Sequence, residues 1–245
     1  MPIGTLYLIP VPLGDNALDL ILPQGVRDIA ARLDTFIVEH PKTARAFLKQ
    51  VVTQTPLQQL NLLVLDEHTP DSDLQALLEP LRAGKDVGLI SEAGCPAVAD
   101  PGSNLVRLAH QQGIRVVPLV GPSSILLSLM ASGLSGQRFA FHGYLPVDKT
   151  ERKSRLQALE QAARSQDETQ IFIETPYRNR QMLEAILESC GNDTSLCVAT
   201  DVSLATEMIL TKRVVEWKKQ LPEIEKRPTV FLLHAPGAAK KTKTR

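Results

Sequence analysis

Val87-Gly88-Leu89-Ile90 runs directly into Ser91-Glu92-Ala93-Gly94-Cys95-Pro96-Ala97-Val98-Ala99-Asp100-Pro101-Gly102. The four apolar or small residues read as a strand buried on both faces, the kind a parallel sheet favours. The twelve residues after it are too small and too turn-rich for helix or strand, so they read as a long loop from a strand to a helix. Loops of this length inside a compact domain are more often functional than connective.

The same unit recurs on both sides. Upstream, residues 5–9 read as a strand ending in Pro10-Val11-Pro12-Leu13-Gly14-Asp15, followed by a helical period over 18–33. A strand over 35–38, a helix over 44–52, a strand over 62–65 and a helix over 73–81 come next. Downstream, a helix over 105–110 leads to a strand over 114–117. This alternation predicts an α/β fold, a sheet with helices packed on it. The second half alternates too: helix 123–132, strand 139–141, helix 150–164, strand 170–173 and helix 179–189. Three strand-like runs then come at 196–199, 208–210 and 230–233 with little helix between them, which predicts a mixed sheet.

Pro118, Gly121 and Pro122 break the pattern in the middle. The expected organisation is therefore two α/β domains, 1–118 and 119–236, with a basic, disordered tail over 237–245.

Composition narrows the function. The 245 residues carry 27 Lys and Arg against 27 Asp and Glu, so no bulk field for nucleic acid exists, although a local basic patch is compatible with it. No apolar run reaches the ~18 residues of a spanning helix, and the first ten residues lack the basic flank and apolar core of a secretory signal. Cys95, Cys190 and Cys197 match no metal knuckle or redox pair and read as free thiols of a cytoplasmic protein. The five histidines (His40, His68, His110, His142, His234) are scattered, so no metal is expected. The phosphate-binding P-loop, the GxGxxG dinucleotide turn and the GxSxG nucleophile elbow are all missing.

Three loops remain, each after a predicted strand: 10–15, 91–102 and Val120-Gly121-Pro122-Ser123-Ser124. In open α/β sheets, ligands bind at the carboxyl ends of the strands. Three such loops in a crevice between two domains would make a largely apolar slot with polar backbone groups, suited to a small molecule of mixed polarity.

These blocks resemble the tetrapyrrole methylase superfamily, the class III S-adenosylmethionine (SAM) methyltransferases. The matching stretches are Gly4-Thr5-Leu6-Tyr7-Leu8 with Pro12-Leu13-Gly14, residues 90–96 with Ala99-Asp100-Pro101-Gly102, and residues 117–124. Ala131-Ser132-Gly133-Leu134, residues 139–146 and Glu174-Thr175-Pro176-Tyr177-Arg178 fit in the same order. The nearest branch is ribosomal RNA small subunit methyltransferase I, which methylates a cytidine ribose 2′-hydroxyl. The resemblance implies two α/β domains, SAM in the cleft and a homodimer. It carries cofactor contacts to Pro12, Leu13, Ala93, Gly94, Cys95, Pro96, Val98, Ser123, Ser124, Glu174 and Ala199. One stretch departs from the branch: its Glu-Asp-Thr-Arg motif is Glu39-His40-Pro41-Lys42 here. The donor side is kept while the acceptor side has moved, as in a divergent paralogue.

A ribose hydroxyl needs its proton removed for methyl transfer. Glu39, Glu92, Asp100, Glu174 and His142 are the candidate bases. Tyr177, Arg178 and Arg180 are candidate contacts to a phosphate or a base face, and Lys149, Arg152, Lys153 and Arg155 form a candidate RNA patch. The alternatives are methylation of a small molecule such as a tetrapyrrole, and non-catalytic SAM binding.

Overall fold

The structure, a computed structural model, describes residues 2–236; the basic tail expected over 237–245 lies outside them. The chain divides into two compact units, Met1–Ser123 and Ser124–Arg245, so residues 119–123 go with the first.

The first unit is built on five parallel strands: β1 (Thr5–Leu8), β2 (Thr35–Val38), β3 (Asn61–Val64), β4 (Val87–Ile90) and β5 (Arg115–Pro118). Their order in the sheet is β3-β2-β4-β1-β5. The central strands β2 and β4 are buried at every residue, whereas the edge strands β3 and β5 are exposed at both ends. Side chains alternate between faces. Phe36, Val38 and Ile90 join one buried cluster with Ile9, Leu22 and Leu48, while Ile37, Val87 and Leu89 join another with Leu78 and Leu105.

Two of the expected helices are interrupted. The one expected over 18–33 is two pieces, Leu18–Ile21 and Gln24–Arg32, with Pro23 between them. The one expected over 73–81 is a 3-10 turn, Asp71–Asp73, followed by Leu74–Leu77 and Glu79–Arg82, with Pro80 opening the last piece. Proline has no N–H to donate and crowds the preceding turn, so it is tolerated only at a helix start. The helix Pro41–Val51 uses Pro41 in that way.

The second unit carries a mixed sheet in the order β6-β7-β10-β8-β9, with β6 (Phe139–Tyr144), β7 (Thr169–Ile173), β8 (Ser195–Thr200), β9 (Met208–Arg213) and β10 (Thr229–His234). β6 and β7 are parallel; the other pairings are antiparallel. Phe172 and Phe231 stack at 5.8 Å between centroids, a separation that suits the offset geometry of aromatic pairs. Trp217, on the short helix Val214–Trp217, is buried and donates its indole N–H to Leu196 O at 2.9 Å. The apolar pattern of the sequence did not predict that helix. The long helix Lys149–Gln166 is capped by Asp148, whose carboxylate accepts from the amides of Thr150 and Glu151, each at 2.9 Å. An N-cap of this kind satisfies two of the donors a helix start leaves open.

Candidate functional site

In the first unit β1 lies between β4 and β5, so the loops leaving these three strands emerge side by side. They are also joined directly. Val11 and Gly94 exchange two backbone hydrogen bonds, at 2.9 and 3.1 Å, which tie the first loop to the second. The Cys95 thiol donates to Pro122 O at 3.3 Å and ties the second to the third. The third meets the first at Gly121, where any Cβ would lie 2.3 Å from Pro10 Cβ.

The second loop is bent hard. Gly94 has φ +72°, and the non-glycine residues Ala97 and Ala99 sit at φ +65° and +63°. Left-handed alanines cost energy that the surrounding contacts must offset, and such strain gathers at functional sites. Gly102, at φ +132°, opens the helix Ser103–Gln111 in a conformation that suits glycine alone.

A pocket of about 240 Å³ lies between the first two loops and the helix Pro41–Val51. Val11, Leu13, Phe47 and Ile90 give it apolar walls, and Glu92 is the only charged side chain among its described lining residues. Thr43 also lines it, and its hydroxyl donates to Glu92 Oε1 at 2.6 Å. A second cavity, of about 540 Å³, opens on the other side of the second loop, with Asp66, Glu67, Asp71 and Asp100 in its wall.

Three of the candidate bases interact electrostatically here. Glu39 follows directly on β2, and one of its carboxylate oxygens, Oε2, is buried with no hydrogen-bond partner. Burial pushes the Glu39 carboxyl above the ordinary carboxylate range, and the negative charges of Asp100 and Glu92 push it further the same way. Burial also raises Asp100, with a smaller lift from Glu92, while a hydrogen bond from Ser91 acts against both. Among the described residues, no group of three or more His, Cys, Asp or Glu is arranged to hold a metal ion.

The remaining candidates are spread over both units. Pro12 and Leu13 are half-buried, Ala93 is exposed on the pocket wall, Pro96 is buried and Val98 is exposed. Ser123 ends the first unit, and Ser124 starts the helix Ser124–Ser132 of the second. Ala199 is fully buried in β8, paired with Val230 on one side and Ile209 on the other. Glu174, at the end of β7, has a side chain only 1% exposed. Its Oε1 accepts from the Thr175 amide at 2.7 Å and from Arg178 Nε and Nη2 at 3.0 and 2.7 Å, while Oε2 is buried without a partner. Arg178 is thus engaged with a carboxylate, and Tyr177 beside it is exposed.

His142 has both ring nitrogens occupied. Arg155 Nη2 lies 3.0 Å from Nδ1 and Gln170 Oε1 lies 2.6 Å from Nε2. A guanidinium only donates, so Nδ1 carries the lone pair and Nε2 the proton. That lone pair is spent on Arg155, which argues against His142 as a base. Arg152 is buried and donates to Val147 O at 3.1 Å, so it lies apart from the exposed Lys149, Lys153 and Arg155.

Thr43, Phe47 and Gln50 line the pocket without having stood out in the sequence. Their spacing of four and three along one helix face was the available signal.

A family model described as Tetrapyrrole (Corrin/Porphyrin) Methylases matches residues 5–216. A relative from Vibrio cholerae serotype O1, named ribosomal RNA small subunit methyltransferase I, is 31% identical over 232 residues, which is 94% of this chain and 76% of the relative. One of the same name from Pseudomonas aeruginosa is 33% identical over 216 residues, 88% of this chain and 72% of its own. Among solved structures, the methyltransferase CobJ aligns with a TM-score of 0.63 at 20% identity, covering 95% of this chain and 94% of that one. That likeness concerns the fold. A family model matched over most of the chain, with relatives above 30% identity along most of their own length, carries the conclusion: the chain belongs to the tetrapyrrole methylase family and is a methyltransferase.

Proposed function

We propose that the methyl donor is SAM and the acceptor a ribose 2′-hydroxyl of ribosomal RNA, with the enzyme acting as a homodimer in the cytoplasm. The observation that carries the donor assignment is the pocket of the first unit, apolar on its walls with a single carboxylate, Glu92, among its described lining residues. That donor set fits a molecule that is partly apolar and positively charged. Gly94 contributes to the fit, since a Cβ there would lie 3.2 Å from Leu13 Cδ2 and narrow the contact between the two loops. The acceptor assignment rests on the two relatives' shared name.

SAM, when bound, supplies a methyl group on a cationic sulfur, and the charge is lost on transfer. The protein's part is alignment, exclusion of water and handling of one proton. In this reading Pro12, Leu13, Ala93, Gly94 and Cys95 hold the donor, with Pro96, Val98 and Ser123 completing the loops around it. Ser124, Glu174 and Ala199, to which the resemblance also carries cofactor contacts, belong to the second unit. Val11, Phe47 and Ile90 keep water out, and Glu92 faces the positive charge. Glu39 takes the hydroxyl proton on its carboxylate. Its burial and the like charges of Asp100 and Glu92 make it a stronger base than an ordinary carboxylate.

Isothermal titration with SAM and with S-adenosylhomocysteine tests the donor. Dissociation constants near micromolar, roughly −8 kcal/mol, are expected for both, and no binding to either overturns the assignment. Transfer of labelled methyl to small-subunit ribosomal RNA, followed by nucleoside analysis, tests the acceptor. Label on a ribose is expected; label on a base, or none, refutes the acceptor. Glu39→Gln is expected to lower kcat by about 10²-fold with S-adenosylhomocysteine affinity unchanged.

A further inference from the structure

Glu92 is exposed on the rim of the 240 Å³ pocket and stands among like charges. Its negative charge is felt by both Glu39 and Asp100. Repulsion of this kind favours rotamers that carry a surface carboxylate away from its neighbours and into water. In the structure it stays on the rim, and the contact holding it there comes from another element. The Thr43 hydroxyl, on the first turn of the helix Pro41–Val51, lies 2.6 Å from Glu92 Oε1.

The same hydroxyl lies 3.0 Å from His40 O. A threonine has one proton to donate. The shorter partner is a carboxylate, and charge-assisted bonds are the stronger, so the proton goes to Glu92. The His40 carbonyl does not depend on it, because it also accepts the Ala44 amide at 3.1 Å. Thr43 is therefore spared from helix capping. It bridges the helix to the loop after β4, and both partners of the bridge line the pocket.

We infer that Thr43 is a positioning residue for the donor: it fixes the Glu92 carboxylate at the pocket mouth, where that carboxylate meets the positive charge of the bound molecule. This rests on the reading of the pocket as the donor site. It predicts that the hydroxyl matters through Glu92 alone. Thr43→Val keeps the shape and the branched Cβ and removes only the bond. Thr43→Ser keeps the bond.

The test is titration of the full chain with S-adenosylhomocysteine and with SAM, together with steady-state kinetics in SAM. Thr43→Val is expected to weaken SAM binding and raise the KM for SAM by about tenfold, the order of one hydrogen bond to a charged group, while S-adenosylhomocysteine, whose sulfur is neutral, is affected much less. kcat at saturating SAM stays at its starting value, and the thermal midpoint is unchanged. Thr43→Ser is expected to restore affinity. In a Glu92→Gln background, Thr43→Val is expected to add much less than it does alone, because the two residues act as a unit. Wild-type affinity in Thr43→Val while Glu92→Gln binds poorly overturns the role of Thr43 and leaves the pocket reading standing. Independent, additive losses overturn it as well. If Glu92→Gln binds as well as the starting protein, the pocket reading itself fails and the role of Thr43 fails with it.

Discussion

Gly121→Ala is the sharpest test of whether the three loops are held as one body. The new Cβ would lie 2.3 Å from Pro10 Cβ, 2.7 Å from Pro10 Cγ and 3.2 Å from Leu22 Cδ2. Carbon atoms in contact sit ~3.5–4.0 Å apart, so the two loops must part by more than about 1 Å. Pro10 cannot rotate clear, because its ring is closed onto the backbone. Its neighbour Val11 is bound to Gly94 on both sides of the peptide. Overpacking costs ~1–3 kcal/mol, and a rigid partner puts this case at the upper end. The smaller freedom of alanine in the unfolded chain returns about 0.5 kcal/mol, leaving a loss of about 2 kcal/mol. Urea unfolding should show a lower midpoint with an unchanged slope, and S-adenosylhomocysteine should bind more weakly. Gly25→Ala is the matched control. Gly25 lies in the helix Gln24–Arg32, nothing stands within 4 Å of its added Cβ, and it should gain about 0.5–1 kcal/mol. An unchanged midpoint in Gly121→Ala, or a shift of both variants in the same direction, would refute the clash at Pro10.

Three further outcomes are expected. Arg178→Met leaves the Glu174 carboxylate, 1% exposed, without its cationic partner. It should cost about 3 kcal/mol in denaturant unfolding, and a loss under 1 kcal/mol would show that the Thr175 amide suffices. Glu39 and Asp100 are raised in the folded state, so they favour folding while protonated and lose that contribution as pH rises from the ordinary carboxylate range through their raised values. Glu39→Gln and Asp100→Asn should therefore be more stable than the starting protein at neutral pH, with the advantage shrinking in acid. A fixed difference at all pH values would refute the cause. His142→Asn should keep methyl transfer at the starting rate, because the ring nitrogen that could accept a proton is held by Arg155; a large fall in kcat would make His142 a candidate base again.

The α/β class was legible because four-residue apolar runs such as Val87-Gly88-Leu89-Ile90 have no surface-facing period, which only central strands allow. Loop positions were legible for the same reason: wherever a run stopped at Pro10, Ser91 or Pro118, the chain had to leave the sheet. Two kinds of information were less legible. Pro23 and Pro80 cut helices that a smooth hydrophobic period had carried through, since periodicity registers the buried face and is blind to a missing N–H. Pairings between distant residues left no local trace. That Arg155 holds His142, that Arg178 is spent on Glu174 and that Thr43 meets Glu92 are facts of tertiary placement. Arg152 looked like a surface charge beside Lys149 and Lys153, yet it falls on the inward face of its helix with Leu156, Leu159 and Ala163.

The strand order of the first unit also fixes a timetable. β1 leaves the ribosome first, but its two neighbours in the sheet are β4 and β5, and Leu6 pairs with Val87 and with Val116. At ~5–20 residues per second of synthesis, the opening strand waits several seconds for partners, and Leu6, fully buried in the finished protein, stays uncovered meanwhile. Contacts this distant in sequence close slowly. The segment bearing the first loop of the donor pocket is made first but seated only once β4 is made, and the pocket's last lining residues are Ile90, Ser91, Glu92 and Ala93, so a chain halted before β4 has no such pocket, and arrest there yields an inactive, sticky fragment instead of a weak enzyme.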